Sequence, residues 1–338
     1  MNYDHLDKKK QALDRHRPLP VALVRNLNDW FRVELTYTSN AIEGNTLTRQ
    51  ETALVVEKGL TVGGKSLKEH LEAANHAHAL DWVHTLISKT PQSISENDIL
   101  NIHNLILKGI DDENAGHYRN VAVRISGSAV VLPNPRKVPD LMTAFVKWIY
   151  GAAMHPVQFA AEAHYELVTI HPFADGNGRT ARLLMNLILM MHGFPPAIIR
   201  TQDSLKYLNA LEKAQLGGSK DDYLKLIAKA IDRSLDIYLK ALDHNESKHE
   251  EDGHQKGDQT REHSEQSARL LKIGELAKAV HETVATIRFW THEGLLDVTE
   301  TTASGYQLYA PNMIGRIEKI KALKAQRYTL AEIKGKLD

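Results

Sequence analysis

Residues 171–182 read HPFADGNGRTAR. This window holds a histidine, a carboxylate, two glycines flanking an asparagine, and two arginines. Each type has its own chemistry. His171 can take up a proton near neutral pH. Asp175 offers hard oxygen atoms suited to Mg2+ between phosphates. In Gly176-Asn177-Gly178 two residues lack a Cβ, so backbone N–H groups can converge on an anion. A helix expected to begin near Arg179 adds its N-terminal dipole and free N–H groups at the same point. Arg179 and Arg182 lie three apart on one helical face, and a guanidinium grips phosphate as a bidentate fork. The set describes a site for a polyphosphate, a magnesium ion and a hydroxyl nucleophile. Taken singly, each residue has a bland explanation, such as a satisfied core histidine or a solvated arginine. Their coincidence in one short window carries the inference.

The elements that must position this window are mostly helical. The apolar run Leu183–Met191 is too short to span a bilayer and reads as a buried helix. LNDWFRVELTYTSNAIEG is expected to carry a helix stopped at Gly44. Thr48 to Glu51 form a capping box that opens the next. Helical periodicity recurs near 66–90, 97–109 and 139–152, in VQFAAEAHYELVTI ahead of the window, and late in DDYLKLIAKAIDRSLDIYLKALD. YRNVAVRISGSAVVLPNP alternates β-branched residues around Ser126-Gly127-Ser128, a short β-hairpin signal in a helical context.

Composition sets the frame. The chain has 338 residues, enough for two domains at roughly 150 residues each. Its formal net charge is zero, so no global field argues for nucleic acid or membrane. Cysteine is absent, which excludes disulfides and thiolate metal sites. The charged N-terminus has no apolar core of a signal peptide, so a cytoplasmic protein is expected. Residues 244–267 contain no aliphatic or aromatic residue and are expected to be a flexible linker or a solvated helix extension. The expected division is a first domain at 1–243, a polar linker at 244–268 and a small second domain at 269–338. A metal hydrolase is disfavoured, because the histidines of 155–192 include no H-E-x-x-H pair or equivalent cluster.

HPFADGNGRTAR matches at every defining position the signature of the Fic family, H-x-F-x-[D/E]-G-N-G-R-x-x-R. GHYRNVAVRISGS and LPNPRKVPDLM, within 116–142, are similar to the family's flap and its flanks, and YLNALEKA at 207–214 resembles a stretch downstream of the signature. The resemblance spans roughly residues 30–240. It implies a mainly α helical bundle with a β-hairpin flap, and transfer of AMP from ATP to a Tyr, Thr or Ser hydroxyl of a target protein, itself included. His171 would take the hydroxyl proton and Asp175 would hold Mg2+. Gly176, Asn177 and Gly178 would cradle the phosphates, with Arg179 and Arg182 neutralising the β- and γ-phosphates. Phe173 is expected to pack in the core. The flap would hold the target by strand addition.

SNAIEG, Ser39 to Gly44, resembles the family's inhibitory motif, [S/T]-x-x-x-E-[G/N], placed N-terminal to the core. Glu43 would then pair with Arg182, and an arginine held by a carboxylate cannot also grip a γ-phosphate. The same glutamate could instead position water for removal of AMP, and these alternatives stay open.

The tail resembles the DNA-binding domain of the MerR family. IGELAKAV and TVATIRFWTHEGLL read as a helix-turn-helix, TETTASGYQLY as a wing, and NMIGRIEKIKALKAQ as a third helix. Residues 269–338 carry 11 Lys/Arg against 8 Asp/Glu, a mild basic excess. The resemblance implies a winged helix-turn-helix on double-stranded DNA, with Thr286, Arg288 and Tyr306 as contacts. Most of Ile287, Phe289, Trp290, Leu295 and Leu296 are expected in its core. A palindromic site would require a homodimer, with dimerisation supplied by the Fic part. A second function class follows, a transcriptional regulator that uses the Fic fold as a nucleotide-sensing or dimerising module.

Overall fold

A computed structural model of the chain describes residues 2–253, 270–280, 282–301, 307–325, 328 and 330–337. The chain divides into two units, Met1–Glu251 and Asp252–Asp338.

Ten helices are described in the first unit: α1 (Asp4–Asp14), α2 (Val21–Ile42), α3 (Arg49–Lys58), α4 (Leu67–Leu86), α5 (Glu96–Leu107), α6 (Val138–Gly151), α7 (Pro156–Ile170), α8 (Asn177–Met191), α9 (Ser204–Gln215) and α10 (Asp221–Gly253). Their starts are chemically marked. Thr48, Ser66 and Ser95 each close a capping box with an acid three residues on, which satisfies backbone donors that a helix start leaves orphaned. Helix α7 opens with Pro156 in its first turn, where a missing N–H costs nothing. The α4 helix ends at Leu86, four residues short of the periodicity, because the chain turns there toward Pro91. Helix α10 continues through residues 244–253, so that part of the expected linker is helical. Residues 254–268 of it lie outside the described residues.

Helices α7 and α8 pack against each other at the centre. From Arg179 to Leu189 every residue of α8 is buried, so the helix is surrounded by α2, α4, α5 and α7. Full burial on every side is what an apolar helix requires, and it fixes the motif at the helix's N-terminus in a rigid frame.

The expected β-hairpin within 118–135 is instead an irregular loop, with one tight turn closed by Ser128 N–H donating to the Ile125 carbonyl at 3.2 Å. The reason is local. Arg119 takes the carbonyls of Val121 (3.1 Å) and Pro133 (2.7 Å), one from each arm. Glu212 accepts from Ser128 Oγ and from the Ala129 N–H, both at 2.8 Å. The prolines at 133 and 135 have no N–H to give a ladder. The loop is held by side chains at its base and tip.

The second unit has its own core, built from Leu276, Ala277, Val280, Ile287, Trp290, Leu295, Leu296, Tyr309, Met313, Ile317, Ile320 and Ile333. Its elements are β1 (Leu271–Lys272), α11 (Ile273–Ala279), α12 (Val284–His292), β2 (Glu300–Thr301), β3 (Gln307–Tyr309), α13 (Met313–Ala325) and α14 (Leu330–Leu337). The strands form an antiparallel sheet in the order β1-β3-β2. Two short helices followed by a β2–β3 ribbon give the winged helix-turn-helix arrangement. Among the described residues no helix is long and apolar enough to cross a membrane.

Candidate active site

Helix α7 ends at His171, which takes φ 51°, ψ 60°. Among the described residues it is the one non-glycine with positive φ, a conformation costing on the order of 1–3 kcal/mol that persists where surrounding contacts enforce it. Here the His171 N–H donates to the Leu167 carbonyl at 2.9 Å. Its own carbonyl accepts from Arg119 Nε at 2.8 Å. Nδ1 lies 3.2 Å from the Val168 carbonyl. A carbonyl only accepts, so Nδ1 carries the hydrogen and Nε2 keeps its lone pair. Burial is the main cause of a lowered pKa, assisted by the Arg119 charge and opposed by the Val168 bond, Glu43 and Asp175. A neutral imidazole with Nε2 open is a competent base at pH 7.

The loop beyond is built on buried supports. Phe173 is fully buried and stacks on His103, with ring centres 3.6 Å apart and planes within 4°. His103 accepts from the Gly116 N–H through Nδ1 at 2.9 Å and therefore donates from Nε2 to the Asp175 carbonyl at 3.0 Å. Burial holds its pKa down to about 4, which keeps that tautomer neutral. The side chain of Asn177 closes the loop on itself. Its Oδ1 accepts from Phe173 N–H and its Nδ2 donates to the Phe173 carbonyl, both at 2.9 Å. Asn177 thus shapes the turn with its amide and leaves its backbone for an anion.

Both motif glycines sit where a side chain would meet neighbours, and Gly176 also needs its positive φ. At Gly176, which has φ 75°, a Cβ would sit 3.2 Å from the His103 ring. At Gly178 a Cβ would collide with Glu43 Oε1 and lie 2.9 Å from Arg182 Nη1. Helix α8 starts at Asn177, two residues earlier than its pattern suggests. Its first N–H groups therefore belong to the glycine turn.

The two arginines share a face but part company. Arg179 is buried, its Nη1 3.3 Å from Glu72 Oε1 and its Nη2 3.4 Å from Asp175 Oδ2. Its Nε and Nη1 make no hydrogen bond, so buried donors remain for an anion. Arg182 turns to α2. Its Nε donates to Ser39 Oγ at 2.9 Å, and its Nη2 donates to the Ser39 carbonyl at 3.0 Å and to Glu43 Oε1 at 2.7 Å. Burial disfavours its charge, but Glu43 and then Tyr207 outweigh that and raise its pKa. The structure therefore brings together Ser39, Glu43, His171, Asp175, Gly176, Asn177, Gly178, Arg179 and Arg182 around the start of one helix. Asp175, with half its side chain exposed, is a hard oxygen donor beside the anion turn. That donor set fits a Mg2+ completed by phosphate oxygens.

Sequence reading missed Glu72, His103, Arg119 and Tyr207. His103 and Glu72 lie on the buried faces of α5 and α4, a position that flags a buried polar group without naming its partner. Arg119 stood inside the flap stretch without a partner to suggest its role.

In the second unit Thr286 lies on α12 with its hydroxyl 2.9 Å from that of the N-cap Thr283. Arg288 is exposed. Tyr306 lies outside the described residues. Ile287, Trp290, Leu295 and Leu296 are core. Phe289, in contrast, is 49% exposed, since α12 turns it away from the face that carries Ile287 and Trp290.

Comparison with known proteins agrees with this layout. Residues 93–189 match the model of the Fic/DOC family, and residues 271–338 that of the MerR HTH family regulatory protein. The chain is 38% identical over 266 residues to a protein adenylyltransferase Fic of Nematostella vectensis, covering 76% of this chain and 61% of that one. It is 37% identical over 240 residues to one of Culex quinquefasciatus, covering 70% and 47%. The chain thus spans about half to three-fifths of these relatives' length. Among solved structures, Fic-1 (aa134–508) from C. elegans superposes with TM-score 0.66 at 32% identity, covering 72% of each chain. A Fic domain containing signaling protein from Bacteroides thetaiotaomicron gives 0.64 at 31%, covering 71% of this chain and 97% of that one. With this fold and this motif geometry, the chain belongs to the Fic/DOC family.

Proposed function

We propose that the chain transfers AMP from ATP to a hydroxyl of a target protein, is held inactive by Glu43, and is carried to DNA by its C-terminal domain. The observation that carries this reading is the Glu43–Arg182 pair, seated against Gly178 at the head of the anion-binding turn. His171 Nε2 takes the proton of the target hydroxyl. The hydroxyl oxygen bonds to the α-phosphorus, the bond from that phosphorus to the β-phosphate oxygen breaks, and pyrophosphate leaves. Asp175 would hold Mg2+, which supplies positive charge to the phosphates. The N–H groups of 176–178 and the open donors of Arg179 receive the phosphates. Arg182 receives the γ-phosphate only after Glu43 lets go. Until then the carboxylate both occupies the arginine and repels the phosphate, so ATP sits displaced and in-line attack fails.

Labelled ATP tests this. Glu43→Gly should label itself or a lysate protein, and adding His171→Ala should abolish the label. Label transfer that survives His171→Ala overturns the assignment.

A second reading is favoured by the helix-turn-helix match. A DNA-binding regulator would use the first unit to sense nucleotide. It requires salt-dependent DNA binding by the chain and no AMP transfer from Glu43→Gly. Removal of AMP from a modified target by the wild type, lost in Glu43→Gly, would instead identify Glu43 as the residue that positions water.

A further inference from the structure

Arg119 ties together three stretches of chain that a transfer reaction needs in register. It is 3% exposed. Its Nε donates to the His171 carbonyl at 2.8 Å, and its backbone N–H donates to the next carbonyl, that of Pro172, at 2.9 Å. Nη1 and Nη2 donate to the carbonyls of Val121 at 3.1 Å and Pro133 at 2.7 Å, one on each arm of the irregular loop. These three side-chain bonds all go to neutral oxygens, and burial lowers the pKa of the guanidinium. Burying a cation against carbonyls alone is costly. A helix end that needs only a donor for its last carbonyl can be served by water or a neutral side chain.

The clamp has a fixed footing. Just ahead of it the Gly116 N–H donates to His103 Nδ1 at 2.9 Å, and the Tyr118 hydroxyl donates to Glu96 Oε1 at 2.8 Å. The chain entering Arg119 is therefore fastened to α5. What it holds at the other end is the strained residue of the site, His171 with φ 51°. A left-handed non-glycine persists where contacts enforce it, and Arg119 holds two successive carbonyls at that point. The turn brings the imidazole back over α7, where Nδ1 lies 3.2 Å from the Val168 carbonyl and Nε2 is left as the base. On the loop, Val121 and Val131 are exposed, apolar side chains that a docked strand of a target would cover.

We propose that Arg119 is a positioning residue for the base: one guanidinium holds His171 in its left-handed conformation and fixes it to both arms of the loop, so that the surface offered to the target and the Nε2 that receives the target's proton move as one body. The inference rests on the reading of His171 as the base of AMP transfer. It assigns Arg119 no contact with nucleotide or target.

The test uses the full chain carrying Glu43→Gly. Arg119→Met keeps the apolar stem and removes every side-chain donor. AMP transfer at saturating ATP should fall about 100-fold, the cost of misplacing a reacting group by about 1 Å. ATP affinity by calorimetry should stay within about twofold, because residues 176–178, Arg179 and Arg182 receive the phosphates. The imidazole 15N signals of His171 should change from one protonated Nδ1 and one bare Nε2 to an average of two tautomers. Loss of ATP affinity along with transfer marks a merely structural arginine and overturns the proposal, as does an unchanged transfer rate or an unchanged His171 signal. Amides of Val121 to Leu132 should exchange faster in the same variant, and unchanged exchange overturns the link to the loop. Should Arg119→Met not fold, Arg119→Lys is the second probe. It keeps the charge and lacks the planar fork, so transfer should fall about tenfold at unchanged ATP affinity; a lysine variant with the parent's transfer rate overturns the clamp. The His171 signal separates the two layers. A Glu43→Gly chain that transfers no AMP, yet whose His171 signal depends on Arg119, refutes the transfer reading alone. A transferring chain whose His171 signal ignores Arg119 refutes only the clamp.

Discussion

Glu43→Gly should raise AMP transfer by about two to three orders of magnitude, and the structure says why the gain is of that size. Glu43 Oε1 accepts from Arg182 Nη2 at 2.7 Å. Hydrogen bonds to charged groups contribute roughly 1.5–3 kcal/mol. The Glu43 side chain is 31% exposed, so solvent screening favours the low end, about 1.5 kcal/mol. That is about tenfold in the availability of Arg182 to ATP. A second gain comes from geometry. With the carboxylate removed, the γ-phosphate can occupy the arginine and the α-phosphorus can meet the hydroxyl in line, and misplacement by about 1 Å costs roughly 100-fold. The product is about 1,000-fold at limiting ATP and about 100-fold at saturation. The variant should fold, because Ser39 still accepts twice from Arg182 and Glu43 has φ −89°, which glycine adopts freely. Glu43→Gln, which keeps a hydrogen-bonding oxygen and loses the charge, should fall between the two. The assay is transfer of radiolabel from α-labelled ATP to the chain itself and to a lysate. A folded Glu43→Gly protein that labels within about threefold of the parent refutes the inhibitory role.

Other consequences follow from the same contacts. In the Glu43→Gly chain the acid limb of the pH–rate profile should lie below 6.5, the ordinary histidine value, because His171 is needed neutral and burial lowers its pKa. Removing the Glu43 charge, which raises that pKa, moves the limb lower still, and an acid limb above 6.5 contradicts the assignment. His76 and His164 have pKa values lowered to about 3, and His103 to about 4, chiefly by burial. The unfolded chain therefore binds protons that the folded chain refuses between 6.5 and about 4, and stability falls with pH in that window by up to about 4 kcal/mol per unit. Melting temperatures constant from pH 7 to pH 5 would falsify this account. Arg288→Ala should weaken DNA binding across sequences and shift the slope of log affinity against log salt by about one charge if it meets phosphate. A change confined to one base position would instead make it a base contact.

Legibility followed the range of the interaction. His171 through Arg182 could be read directly, because one turn and one helix start place all of them within a few residues of each other. The helices around them were legible where an apolar face or a capping box marked them, as at Thr48. The long-range partners were not. Nothing local in LEAANHAH marks Glu72 as the counter-charge of Arg179, and nothing in GHYRN marks Arg119 as the clamp on the His171 carbonyl. Glu43 was an ordinary acid before a glycine until a resemblance gave it a partner. The hairpin pattern within 118–135 misled for a related reason. Its alternation is real, but side chains of Arg119 and Glu212 take the backbone groups that a ladder would use. Propensity is overridden where tertiary contacts supply the hydrogen bonds.

If Glu43 inhibits as proposed, the contacts around it say what would have to move for release. The end of α2 is stitched to α4. Asn40 Nδ2 donates to the Glu72 carbonyl at 3.2 Å, Asn45 Nδ2 to the Glu69 carbonyl at 3.0 Å and to Glu72 Oε2 at 2.9 Å, and Thr46 N–H to Glu69 Oε1 at 2.9 Å. Hydrogen bonds from the Thr46 hydroxyl, the Ser66 and Thr46 N–H groups and the Ser66 hydroxyl lower the Glu69 pKa to about 2, so its acceptors persist at any pH the protein meets. Arg182 is held from α2 by two bonds to Ser39. Between two fixed bodies the one weakly tethered member is the Glu43 carboxylate, partly exposed and joined to Arg182 by a single side-chain bond. Release therefore needs a rotation of that side chain and no departure of α2. Hydrogen exchange checks this: backbone amides of Val33–Ser39 should exchange at the same rate in the parent and in Glu43→Gly, even as transfer rises. Faster exchange along α2 in the active variant would mean that the helix itself withdraws, and that the contacts with α4 are part of the lock.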